Sequence, residues 1–171
     1  MNSDANPLLI KDGLPAYDRI LPEHIESAVE TLLARCRDVL AQVEQSMETS
    51  WSALMDPMEE VDRLFEYGWS PVGHLLSVAN SDPLREAHDA AMPKIVEFGL
   101  QLRQSDAIYR KLVALKESPQ WPGFSGAQQR IITRMIQSAE LSGISLQGED
   151  RLAFPAEPTP RLGCWQGSLG W

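Results

Sequence analysis

Apolar positions recur at three- and four-residue steps along most of this chain, and convincing alternation with period two occurs nowhere. The longest stripe runs through Ile25, Val29, Leu32, Leu33, Cys36, Val39, Leu40, Val43 and Met47. It predicts one long helix from Pro22 to about Met47, with Arg35 and Arg37 facing water. Pro22 suits the first turn, where its missing N–H would find no partner anyway, and Glu23 and Glu26 place negative charge at the positive end of the helix dipole.

Further helices follow from caps and stripes. Thr49 and Ser50 offer an N-cap before Trp51 and Leu54. Asp56 offers a second cap and Pro57 marks a restart or kink, with Met58, Val61, Leu64 and Phe65 inward, Glu59, Glu60, Asp62 and Arg63 outward, and Gly68 loosening the end. Ser70-Pro71 opens a short helix carrying Val72, Leu75, Leu76 and Val78. Asn80-Ser81-Asp82-Pro83 starts another with Leu84, Ala87, Ala91, Ile95, Phe98 and Leu102 inward and Pro93 as a bend. Ser105-Asp106 caps a helix bearing Ile108, Leu112 and Leu115, ended by Pro119 and Pro122 around Trp121. Ser125 caps a last one with Ile131, Ile132, Met135, Ile136 and Leu141, closed by Gly143. The fold class is all-α, an antiparallel multi-helix array, with no internal repeat of constant period.

The two ends differ from this centre. Residues 1–21 mix prolines and glycine with Leu8, Leu9, Ile10, Leu14, Tyr17 and Ile20, which predicts an extended arm lying on the helical domain of residues 22–147. Residues 148–171 form a tail rich in proline and glycine through which no stripe can be drawn. Such a tail is expected to be disordered or loosely attached. Its abrupt change of character fits a shifted reading frame or other unnatural junction; the alternative is a genuine proline-rich extension docking through Trp165 and Trp171.

Composition narrows the function. With 171 residues, 43% hydrophobic and 23% charged, the chain can bury a core without disulfides or metals. A formal charge of −9 argues against nucleic acid as a partner and against an anionic membrane surface. No apolar run reaches the roughly 20 residues of a membrane span. The first residues show no cationic start followed by an apolar stretch, so cytoplasm is the expected compartment. Cys36 lies on a helical stripe and reads as a small core residue.

Candidate chemistry is sparse. The three histidines, His24, His74 and His88, have no partner at i+4. His24 reads as a surface or capping residue, His74 as a partly buried imidazole held by a backbone carbonyl near Pro71, and His88 as solvent-facing. Glu59, Glu60 and Asp62 fall on an outward face, and Ser77, Ser81 and Ser142 each have a cap or turn role. Trp51, Trp69 and Trp121 sit beside helix ends, where they plug core edges rather than form a ligand wall. No catalytic, cofactor-binding or metal-binding residue is assigned.

Three segments carry a resemblance: Ile20-Leu21-Pro22-Glu23-His24-Ile25, Ser70-Pro71-Val72-Gly73-His74-Leu75 through Arg85-Glu86-Ala87, and Glu140-Leu141-Ser142-Gly143-Ile144. Over residues 6–147 the chain resembles the N-terminal helical region of the oligopeptidase A group in the thimet-oligopeptidase family of zinc metallopeptidases. The resemblance implies a mostly helical, clam-like parent enzyme that cleaves short peptides in a deep channel, with these helices forming part of the wall. The family's H-E-x-x-H zinc motif occurs nowhere in this sequence, so no zinc ligand carries over. The expected reading is an N-terminal fragment, inactive alone, whose partner is the remainder of the peptidase and which self-associates through an exposed apolar face. The rival is a stand-alone helical module binding a partner helix or peptide in a groove.

Overall fold

The computed structural model describes residues 6–10 and 13–144, and the sequence readings on residues 148–171 lie outside them. Six α-helices account for most of the described chain: α1 (Pro22–Gln45), α2 (Trp51–Gly68), α3 (Ser70–Val78), α4 (Asp82–Arg103), α5 (Asp106–Lys116) and α6 (Gly126–Leu141). Short 3-10 turns occur at Pro7–Leu9, Tyr17–Arg19 and Trp121–Gly123, and no strand occurs among the described residues. The all-α expectation holds.

α1 is the hub. Ile25, Ala28, Val29, Leu32, Leu33, Cys36, Leu40 and Val43 are all buried, and α1 packs against α4, α2, the Pro7–Leu9 turn and α5. The relative sense of the helices follows from side-chain pairs. Lys94 of α4 lies 2.9 Å from Glu30 near the start of α1, while Ser105, just past α4, reaches Glu44 near the end of α1 at 2.6 Å. These two helices therefore point the same way, with α2 and α3 lying between them in sequence. α5 and α6 form a second packed pair.

Several expected boundaries shift. α1 ends at Gln45, so Met47 leaves the stripe and stands 97% exposed. α2 runs unbroken through Pro57 from its Ser50 cap, whose Oγ accepts from Ala53 N–H at 3.2 Å. Asp56 therefore caps nothing. Leu54, Met55, Met58, Val61, Leu64 and Phe65 form one buried face across the proline, and that packing outweighs the roughly 3 kcal/mol a mid-helix proline costs. Pro93 is likewise carried inside a continuous α4, exposed on its outer face. On α6, Ile131 and Leu141 turn outward rather than inward.

Gly68 has a different role from the loosening expected of it. It is buried, and a Cβ there would come within 2.5 Å of Leu32 Cδ1. The end of α2 can lie this close to α1 only because the side chain is missing. The N-terminal arm is fastened nearby. Asn6 Oδ1 accepts from Leu8 N–H at 3.0 Å, and Asn6 Nδ2 donates to the His24 carbonyl at 2.8 Å, which seats Leu8 in the core. The arm is anchored at that turn and at Ile20, while Leu14 stands 94% exposed.

Both ends of α1 are satisfied by side chains. At its start, the His24 ring accepts from Leu21 N–H through Nδ1 at 3.1 Å, which is the capping role expected of this residue. At its end, Lys111 of α5 donates through Nζ to the carbonyls of Val43 and of Ser46, the latter at 2.6 Å. A cation on the last carbonyls of a helix also meets the negative end of its dipole. α6 closes as the sequence indicates: Gly143 takes φ +81°, its N–H donates to Glu140, and Ile144 N–H donates to Ala139.

Two expectations follow. Gly68→Ala should lower the melting temperature, since overpacking against buried Leu32 costs about 1–3 kcal/mol. Gly73→Ala should raise stability by up to about 1 kcal/mol, because a Cβ on this helical glycine meets nothing within 4 Å. Thermal melts of both variants check the contrast. Lys111→Met keeps the aliphatic stem and removes the donors, and should lose about 1–2 kcal/mol in urea unfolding; an unchanged midpoint would show that water replaces the ammonium at no cost.

Candidate functional site

The three imidazoles are dispersed over three helices, each with its own partner. His24 is engaged at the start of α1 as described. His74 is exposed on α3 with its ring against Tyr17, centroids 5.1 Å apart. The expected burial and carbonyl contact are thus replaced by an aromatic contact with the N-terminal arm. His88 reverses expectation in the other direction. Its side chain is 15% exposed and lies nearly parallel to the Trp69 indole, with centroids 5.0 Å apart and planes 14° apart, and its Nδ1 is 3.0 Å from Asp89 Oδ1. The sequence around His88 is polar, so only the packing of α4 against the Trp69 corner between α2 and α3 reveals this contact.

The acidic residues of α2 are partly tied down. Glu59 is exposed, Glu60 pairs with Arg63 one turn on, and Glu60 and Asp62 are half-buried rather than fully solvated. The serines act structurally. Ser77 Oγ donates to the Gly73 carbonyl at 3.2 Å, Ser142 Oγ to that of Ser138 at 2.8 Å, and Ser81 Oγ accepts from Leu84 N–H. Trp51 and Trp121 both pack on Phe124, with centroids 5.8 and 6.1 Å away, so these aromatics plug the junction between the start of α2 and the segment leading into α6. Cys36 is fully buried.

Among the described residues, two of the electrostatic perturbations arise at connections between helices and one from burial. The Lys94 ammonium is raised, chiefly by its hydrogen bond to Glu30 and against the effect of burial. The Tyr109 phenol is raised, first by its hydrogen bond to Glu140, which joins α5 to α6 at 3.1 Å. Burial lowers the Arg103 guanidinium. Arg103 and Tyr109 line a small depression with Ser105, whose Oγ is engaged as the cap of α5, accepting from Ile108 N–H and donating to Glu44.

A zinc ion of the kind the family resemblance implies needs three or more donor side chains converging on one point. Among the described residues, no three His, Cys, Asp or Glu side chains do so. The described donor set therefore does not fit a zinc site. No described helix is long and apolar enough to cross a membrane.

The residues that sequence reading passed over are fasteners: Asn6, Lys111 and the Ser105–Glu44 pair. The Asn6-Pro7 dipeptide carries a turn signal that could have marked the first of them. What the described geometry offers is a helical body in which most of the candidate polar side chains named above hold its own elements together.

Comparison with known proteins agrees with that picture. Residues 29–151 match the family described as Neurolysin/Thimet oligopeptidase, N-terminal domain. The chain is 39% identical over 152 residues to an oligopeptidase A of Haemophilus influenzae, covering 89% of this chain and 22% of that protein. It is 35% identical over 150 residues to a probable cytosolic oligopeptidase A of Arabidopsis thaliana, covering 88% and 21%, and 35% identical over 150 residues to the oligopeptidase A of Escherichia coli, covering 87% and 22%. The chain thus spans about a fifth of the length of the curated relatives it matches. By the extent of that match, this chain belongs to the neurolysin/thimet oligopeptidase family and corresponds to its N-terminal domain.

Proposed function

We propose that this chain works as the N-terminal wall domain of an oligopeptidase A-type zinc metallopeptidase, limiting access of peptides to a catalytic centre built by the rest of such an enzyme. The helical body of residues 22–147 is the working unit and residues 1–21 its arm. The observation that carries the reading is the match of residues 29–151 to the N-terminal domain of this family, together with relatives named oligopeptidase A along nearly the whole chain. The dispersion of His24, His74 and His88 supports a wall rather than a catalytic role, as does the absence of H-E-x-x-H from the sequence. Zinc and its ligands belong to the partner, the remainder of the peptidase, and the substrates are short peptides that enter between the two.

The proposed compartment is the cytoplasm. One relative is described as cytosolic, whereas another, from the same plant, is described as organellar. Apolar side chains exposed on the isolated domain, Val78 and Leu141 among them, give it a means of self-association at high concentration.

Purified alone, the 171-residue chain should not cleave a fluorogenic short peptide, with or without added zinc, and should bind no zinc in equilibrium dialysis. Stoichiometric zinc binding accompanied by turnover would overturn the reading.

A further inference from the structure

Tyr67 to Ser81 is a run of fifteen residues without Asp, Glu, Lys or Arg, in a chain of net charge −9. α3 lies inside it and is the only one of the six described helices with no such side chain. A helix of this composition is ordinarily covered on every side. α3 is not. Pro71 and Val72 are buried and Leu75 and Leu76 half-buried, but His74, Ser77 and Val78 are exposed, Val78 by 66%.

Gly73 adds an independent observation. Glycine is among the least favourable residues in a helix interior, and at Gly68 the molecule shows why one is tolerated: α1 leaves no room for a Cβ. At Gly73, apart from its chain neighbours and the nearby backbone of its own helix, nothing among the described residues lies within 4 Å of where a Cβ would be. Among the described residues, no neighbour requires the missing side chain here. Gly73, His74, Ser77 and Val78 fall on one continuous face by helical spacing, and the Tyr17 ring extends that face from the arm through its contact with His74. Built of small and uncrowded positions and free of Asp, Glu, Lys and Arg, the face is suited to close approach by another packed surface.

We infer that the outer face of α3, with Gly73 at its point of closest approach, is where this domain docks against the remainder of the peptidase. The inference rests on the proposed function and names the surface through which it operates. The occupant follows from length: the match takes up only 22% of the Haemophilus influenzae relative, so most of such a protein must lie against surfaces of this domain or away from it. α3 is the surface element whose composition anticipates burial. A packed, uncharged protein surface would cover Val78 and fill the space over Gly73.

The test is a chimaera in which the matched segment of the Haemophilus influenzae oligopeptidase A is replaced by its counterpart from this chain, assayed by hydrolysis of a fluorogenic peptide and by thermal melting. Gly73→Leu and Val78→Lys are compared with Ala90→Leu, which adds bulk on an exposed position of α4. The same variants are melted in the isolated 171-residue chain. Expected are a tenfold or greater loss of activity, or a fall of several degrees in the chimaera's melting temperature, for both α3 variants and not for the control. The isolated chain should melt no lower with either α3 variant than without it. Chimaeric variants that match the control would overturn the docking face and leave the proposed function standing. So would α3 variants that destabilise the isolated chain equally, since they would then act on the domain's own folding. An isolated chain that sediments as a dimer and is dispersed by Val78→Lys would assign the face to a second copy instead. An inactive chimaera carrying the unsubstituted segment would overturn the proposed function itself, and the docking face with it.

Discussion

The arrangement of this domain depends on how closely α1 is approached. A helix of 24 residues with buried positions at nearly every turn must be covered from more than one direction. α4 covers it along one side, running in the same sense, and α2 along another, brought in tightly at Gly68 over Leu32. Leu8, held by the Asn6 turn, fills the angle beside that contact. With α1 so enclosed, α3 is left as the piece that carries the chain from the end of α2 to the start of α4, and its position on the outside is a consequence of the others being inside. The stacked Phe65 and Phe98 rings, 5.9 Å apart, join α2 to α4 across the same core.

Most of the helical architecture was legible because the physical signals are local. Ser50, Ser81, Ser105 and Ser125 each accept from a backbone N–H at the predicted N-cap, and Gly143 closes α6 in the left-handed conformation that glycine favours. The misreadings fall where tertiary packing overrides local preference. Pro57 and Pro93 look like breaks in the sequence, yet a continuous buried face on each side keeps the helix going. Met47 completes a stripe by spacing but lies beyond the last turn of α1, where no neighbour waits for it. His74 and His88 exchange their expected environments because the rings that meet them, Tyr17 and Trp69, come from elsewhere in the chain and leave no signal in the adjacent residues.

Around the candidate residues, the sequence announced the caps better than the long-range fastenings. Absence of paired histidines at helical spacing is readable directly. That Lys111 would reach back 68 positions to Val43, or Ser105 61 positions to Glu44, is not, since nothing in the local spacing of either residue announces a distant partner. The polar side chains of this domain thus divide into those that cap their own helix, which were foreseeable, and those that tie one helix to another, which were not.

The lysine at the end of α1 has a consequence for how the chain acquires its shape. Most helix termini here are closed by residues within the same turn, so they can form as soon as that segment exists. The last carbonyls of α1 instead wait for an ammonium that arrives with α5, after α2, α3 and α4 have been made. During synthesis, the final turn of the central helix should therefore fray until a contact of long sequence separation is established. The first helix to be made is in this respect among the last to be finished, and the α5–α6 pair serves as the latch on a body whose main pieces are already in place.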